Sequence, residues 1–223
     1  MDLAQHIFIL RAVSRLREGI RMKGIESIAK RAMELKQSGM NDKEIARELH
    51  LSENTIVWLL TKGAKSKTVP SDAPLDVKIG WSSVGVFGSR ISLMASIMAD
   101  ILMEEAERKE FEVDTAVGIT INGIPLATCI SDELGIELAV YRPPYKKVDR
   151  GAMSSNYADV DGKKIVIVDD VIGTGETMTK AVEDLKAFGA KPNLILTIVN
   201  KAGVTDIDGV PVRHIVSAKS LSA

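Results

Sequence analysis

Residues 164–177 read Lys-Ile-Val-Ile-Val-Asp-Asp-Val-Ile-Gly-Thr-Gly-Glu-Thr, and this stretch restricts the fold more tightly than any other. Four consecutive apolar residues, Ile165 to Val168, mark a strand buried on both faces. Asp169 and Asp170 are expected at its carboxyl end. Next comes a loop with Gly173 and Gly175 and the hydroxyls of Thr174 and Thr177, then a helix with Met178, Ala181, Val182 and Leu185 inward. Such a strand–loop–helix points the free amides of a helix amino terminus at a small anion. The glycines permit positive φ and close approach of backbone to ligand. Two adjacent carboxylates accept hydrogen bonds from vicinal hydroxyls, as a ribose presents them. In an open parallel sheet such a ligand lies beyond the carboxyl ends of the strands. A Walker A loop is excluded, because Gly175 is followed by Glu176 and not by lysine. A dinucleotide GxGxxG is excluded, because Met178 stands where its third glycine belongs. The apolar run ending in two acids also looks like a Walker B strand, but no partner loop accompanies it.

Around this segment apolar β-rich runs alternate with helical patterns. Strands are predicted at 115–121, 137–141, 164–168, 193–199 and 212–216, and helices near 89–108, 126–133 and 177–188. That alternation implies an α/β domain with a mostly parallel sheet. Residues 64–74 are small, polar and proline-bearing, the composition of a linker. The expected organisation is a helical head at 1–63, the linker, and an α/β domain at 75–223.

The head has its own pattern. Leu3, Ile7, Leu10, Val13, Leu16 and Ile20 form one apolar stripe of a first helix, which Gly19 and Gly24 end or bend. A second helix is predicted from about Glu26 to Ser38, with Gly39 at its carboxyl end. Asn41 caps a third, with Glu44 three residues on as in a capping box. His50 and Leu51 make a turn, and Ser52 caps a fourth helix reaching Thr61. Ile45, Ala46 and Leu49 face Ile56, Leu59 and Leu60, and the small Ala46 lets the two helices cross closely. This resembles the helix-turn-helix of bacterial and archaeal regulators. The resemblance implies a recognition helix that offers Ser52, Glu53, Asn54 and Thr55 to the major groove of double-stranded DNA. Asn54 suits adenine, Thr55 a thymine methyl, and Ser52 with the free amides a phosphate. Lys43, Arg47 and Lys62 are candidates for backbone contact. Trp58 is expected to be exposed, with packing on the linker or the second domain as the alternative. Charge agrees with a polyanion partner: residues 1–67 hold 13 Lys and Arg against 8 Asp and Glu, the other 156 residues 16 against 22. The first helix either closes the head's core or pairs two chains into a dimer.

The 164–177 segment closely resembles the phosphoribosyl-diphosphate signature of type I phosphoribosyltransferases, and the similarity extends over about 75–223. Residues 118–128, Gly-Ile-Thr-Ile-Asn-Gly-Ile-Pro-Leu-Ala-Thr, look like the diphosphate loop of the orotate enzymes, and residues 141–151 like their mobile loop. By resemblance, Asp169 and Asp170 hold ribose hydroxyls, and residues 171–177, including Gly173, Thr174, Gly175, Glu176 and Thr177, wrap a 5′-phosphate. The departures concern catalysis. The orotate enzymes place lysine where Asn122 stands, and their mobile loop runs from Arg-Lys to His-Gly. Here Arg142 precedes Pro143 and Arg150 precedes Gly151, while Lys146 and Lys147 retain part of the loop's charge. Phosphoribosyl transfer needs cations on the leaving diphosphate, so these losses cost rate more than binding. A helix-turn-helix fused to such a domain resembles the archaeal orotate-phosphoribosyltransferase-like transcriptional regulators and, more distantly, the purine repressors of Gram-positive bacteria.

The expectation is therefore a transcription regulator that binds DNA through its head and a phosphoribosyl effector through its α/β domain, as a homodimer. An active orotate-type phosphoribosyltransferase with a helical extension is the rival, and an RNA-binding attenuator of the same fold the third reading. Magnesium is implied only with a diphosphate ligand. One cysteine, Cys129, excludes an internal disulfide framework. No run of apolar residues is long enough to span a bilayer and no basic leader region opens the chain, so a cytoplasmic protein is expected.

Overall fold

The computed structural model of the protein describes residues 24–61, 76–144 and 149–218. The chain divides into two compact units, Met1–Ser82 and Ser83–Ala223. The expected first helix, the proline-bearing stretch, Lys62, Lys146 and Lys147 lie outside the described residues.

In the first unit α1 spans Gly24–Gln37, α2 Asp42–Leu49 and α3 Glu53–Thr61. Gly39 ends α1 with φ at 98°, and the Met40 amide reaches back to the Leu35 carbonyl at 3.2 Å. The capping box of α2 is complete. The Glu44 amide donates to Asn41 Oδ1 at 3.0 Å, and the Asn41 amide donates to Glu44 Oε2 at 2.7 Å. His50 then turns the chain in the left-handed region, and Ala46 is buried in the core that α2 and α3 share. Ala29, Ala32, Ile45, Leu49, Ile56 and Leu59 form the core of this unit. Trp58 belongs to that core at 8% exposure, contrary to the expectation of an exposed indole. The buried arc of α3 is wide, taking in Thr55, Ile56, Trp58 and Leu59, and it leaves only Glu53, Asn54, Val57 and Thr61 outward.

In the second unit α4 (Ser82–Gly85, at the junction) and α5 (Gly88–Lys109) lead into β1 (Thr115–Ile119), α6 (Gly123–Leu134), β2 (Glu137–Arg142) and β3 (Ala152–Met153). There follow β4 (Lys164–Ile172), α7 (Glu176–Ala187), β5 (Lys191–Asn200), β6 (Asp206–Ile207) and β7 (Val210–Ser217). The sheet order is β3-β2-β1-β4-β5-β7-β6. Its five long strands are parallel, and the two-residue strands pair antiparallel at the edges. Met178, Ala181, Val182 and Leu185 of α7 share one apolar cluster with Ile165, Ile167 and Tyr141 of the sheet. Glu105 of α5 is fully buried, and Arg108, Lys109 and the β7 residue Arg213 converge on its carboxylate. An unpaired carboxylate there would be costly, so these cations tie α5 to β7.

Two boundaries differ from the sequence reading in a way that matters for the site. Strand β1 stops at Ile119, and β4 continues two residues beyond the acids to Ile172. Past Val168, β4 is paired to β5 only, through Asp169 with Thr197 and Val171 with Val199. Asp169 and Asp170 thus lie inside a strand, at the point where its other neighbour ends. From β1 the chain goes first to β2 on one side and then to β4 on the other, which makes the β1/β4 gap the topological switch point, where open α/β sheets bind ligands.

Candidate functional site

The crevice is built by close approach. A Cβ on Gly118 would lie 2.9 Å from Ile124 Cα, and one on Gly123 would overlap the Val168 carbonyl oxygen. Glycine at both positions lets the loop after β1 and the start of α6 settle onto β4. The Thr120–Ile121 peptide in that loop is cis. Asn122, at the amino cap of α6, makes no capping bond with its side chain and instead donates to Asp170 Oδ2 at 3.1 Å. Asp170 is 3% exposed, whereas Asp169 is half-buried and accepts from the Asp170 amide at 2.9 Å.

Beyond β4 the loop turns at Gly175, where φ is 89°, and starts α7 with no side-chain cap. The Glu176 amide leans on Thr174 Oγ at 3.4 Å, and the Thr179 amide bonds to the Gly175 carbonyl at 2.8 Å. Gly173, Thr174 and Glu176 are exposed, and Gly175 and Thr177 half-buried. A Cβ on Gly173 or Gly175 would meet nothing within 4 Å, so this loop stands open. The structure therefore brings Asp169, Asp170 and residues 173–177 together at the carboxyl end of the central strand, two carboxylates beside a first helical turn whose amides favour an anion. Arg142 ends β2, one strand further from β4, with its side chain exposed. Within α6, burial and then Asp132 and Glu133 push the Cys129 thiol up, away from the thiolate a nucleophile would need.

The end of β2 and the residue before β3 are tied together by a side chain that sequence reasoning passed over. Asp184 on α7 is 2% exposed, and its Oδ2 accepts from the Tyr141 hydroxyl and from the Gly151 amide, each at 2.7 Å. Lys180 Nζ lies 3.0 Å from Oδ1. Burial pushes the Asp184 carboxyl up, but the Gly151 and Tyr141 hydrogen bonds and Lys180 outweigh it, and the group sits below its ordinary value. Gly151 is required at its place, since a Cβ there would run into the Tyr141 hydroxyl. Arg150 turns to the carboxyl end of α7 and stacks 5.2 Å from the centroid of the Phe188 ring. The signal for Asp184 was present: it lies three residues after Ala181, on the helix face that Leu185 also occupies.

In the head, Ser52 caps α3 as expected, its Oγ accepting from the Thr55 amide at 3.1 Å. Thr55 does not face outward as its assignment to a thymine methyl requires. It is 8% exposed, and its hydroxyl donates to Asp76 Oδ2 at 2.9 Å. The Ser52 amide donates to the same oxygen at 2.7 Å. Of the outward positions, Asn54 and Glu53 were anticipated, and Val57, 47% exposed, was not. Lys43 and Arg47 on α2 are half-buried.

Comparison with known proteins agrees with this fold. Residues 89–211 match the phosphoribosyl transferase domain family. The transcriptional regulator GfcR of Thermoplasma acidophilum is 53% identical over 196 residues, which cover 87% of this chain and 96% of that protein. The transcriptional regulator GfcR of Methanothrix thermoacetophila is 40% identical, over 86% and 95%. Among solved structures, a phosphoribosyltransferase from Corynebacterium diphtheriae matches at 25% identity and a TM-score of 0.50, over 65% of this chain and 89% of that one. The UMP synthase of Leishmania donovani matches at 23% identity and a TM-score of 0.51, over 67% of this chain and 32% of that one.

Proposed function

This chain belongs to the family of GfcR transcriptional regulators, and from that premise we propose that it binds double-stranded DNA through its helical head and a phosphoribosyl compound in the β1/β4 crevice. The match to the Thermoplasma regulator carries this reading, because its 196 residues exceed the 141 of the second unit and so reach into the head. On α3, Asn54 reads a base edge, with Glu53 and Val57 beside it on the outward face. Lys43, Arg47 and Lys62 meet the phosphate backbone. In the crevice, Asp169 and Asp170 take the ribose hydroxyls and residues 173–177 the 5′-phosphate, with Arg142, Lys146 and Lys147 on the anionic side of the ligand. A homodimer in the cytoplasm suits two half-sites on DNA. Among the described residues no helix is long and apolar enough to cross a membrane.

Transferase turnover is not the function of this crevice. A neutral amide, Asn122, occupies the loop where developing charge on a leaving diphosphate calls for a cation. Magnesium would enter only as the counterion of a diphosphate ligand. Among the described residues no group of three or more His, Cys, Asp or Glu side chains is placed to hold a metal on its own. Two assays test the proposal. The full chain, titrated on duplex genomic fragments at low salt, is expected to select some fragments over others. Given phosphoribosyl diphosphate, magnesium and each of orotate, uracil, hypoxanthine, guanine and adenine, it is expected to turn over none of them. Indifference to every fragment together with turnover of about 1–1000 per second would make it an enzyme instead.

A further inference from the structure

We infer that Asp76 is an internal competitor for DNA phosphate at the recognition helix, an inference that rests on the DNA-binding reading above. The contact is specific. Asp76 Oδ2 takes the Ser52 amide at 2.7 Å and the Thr55 hydroxyl at 2.9 Å, and Oδ1 takes the Val77 amide at 2.8 Å. With the Thr55 proton committed to Asp76, the 2.8 Å contact between the two hydroxyls has Ser52 as donor. A carboxylate therefore sits on the first turn of α3, where a backbone phosphate would be drawn by the same amide, the same hydroxyl and the same end of the helix dipole. The two anions cannot share the place. Glu53, beside them in the same turn, adds a further negative charge. A head that is otherwise basic thus presents an acidic lip at the end of the helix that meets DNA.

Asp76 is also placed to be moved. The second unit begins at Ser83, seven positions further along the chain. Seven residues span at most about 25 Å when extended, so Asp76 can stay on α3 only while Ser83 lies within that reach. Withdrawal of Asp76 frees the Ser52 amide and the Thr55 hydroxyl for phosphate, and its return takes them back.

The test uses the full chain and a duplex fragment that the wild-type protein selects. Asp76→Asn keeps the size of the side chain and removes its charge. It is expected to bind the fragment about 3–30-fold more tightly, with the slope of log K against log salt steeper by about one. Asp76→Glu keeps the charge and is expected to stay within about two-fold of wild type. Unchanged or weaker binding by a folded Asp76→Asn protein, while the wild type still selects DNA, would overturn this inference and leave the DNA-binding reading standing. Failure of both proteins to bind any duplex would remove both. Should Asp76→Asn not fold, nuclear magnetic resonance of the wild-type protein decides: the Ser52 amide is expected to leave Asp76 when DNA binds, and its retention in the complex would refute the competition.

Discussion

The side-chain amide of Asn122 donates to Asp170 Oδ2 at 3.1 Å across the gap between β1 and β4. It joins the loop after β1 to Asp170, the more buried of the two adjacent carboxylates. To a ligand carrying a diphosphate, as proposed above, Asn122 would offer a neutral donor and not a cation.

Asn122→Ala is therefore expected to cost about 1.5–3 kcal/mol of stability, the usual range for a hydrogen bond to a charged group. Asn122→Asp is expected to be worse at pH 7, because it opposes two carboxylates. Its deficit in ribose 5-phosphate binding, measured against wild type by calorimetry at each pH, should shrink as the pH falls toward the carboxylate range.

Asp184 makes a different pH prediction. Its pKa in the folded protein is depressed, so its contribution to stability is present above the unfolded-state pKa and is lost as the pH falls through the folded value. Asp184→Asn should cost about 1.5–3 kcal/mol at pH 7, since it removes the charge to which the Tyr141 hydroxyl, the Gly151 amide and Lys180 donate. The gap between wild type and variant in thermal melts should close on acidification below about pH 4, the ordinary carboxylate value. A gap that widened toward acid would show that the Tyr141, Gly151 and Lys180 contacts do not hold the charged form.

The glycines of the crevice should separate into two kinds. Gly123→Ala forces a methyl group into the Val168 carbonyl and should cost about 1–3 kcal/mol in denaturant unfolding. Gly173→Ala meets open space and should stay within about 0.5 kcal/mol of wild type. Equal costs at the two positions would mean that the loop after β1 is not seated on β4 as described.

On the head, Asn54→Ala should cost about 1–3 kcal/mol at one base pair and relax selection there, whereas Lys43→Ala should weaken all sequences alike and flatten the salt slope by about one. A binding-site selection with each variant, read at two salt concentrations, distinguishes the two effects.

What could be read from the sequence was local. The capping box at Asn41, the turn at His50, the apolar run Ile165–Val168 and the glycine loop before α7 each depend on residues within a few positions of one another, and each stands where the pattern put it. The errors came from partners distant in the chain. Asp169 and Asp170 interrupt the apolar run, and β4 continues past them because the backbone of β5 pairs with Asp169, Val171 and Ile172 and because Ile172 packs in the core. Thr55 looked outward because its partner, Asp76, comes 21 residues later, after a stretch whose composition reads as linker. Trp58 looked outward because the helix periodicity was drawn for one packing face, and α3 buries a wider arc. Asp184 lay on a buried helix face, yet only the fold brings it to Tyr141 and Gly151.

The most direct measurement is the DNA affinity of the full chain with and without ligand in the crevice. Fluorescence titration on a selected duplex, with phosphoribosyl diphosphate and magnesium, ribose 5-phosphate or nucleoside monophosphates each in excess, should show one of them shifting affinity by about 5–150-fold, the range of ordinary allosteric coupling. A ligand can do so only by favouring one arrangement of the protein over another. Asp169→Asn combined with Asp170→Asn should abolish the shift while leaving basal DNA affinity unchanged, because neither carboxylate belongs to the head. Ligand binding that leaves DNA affinity unmoved in the wild-type protein, or no binding of any phosphoribosyl compound, would contradict a sensing role for the crevice.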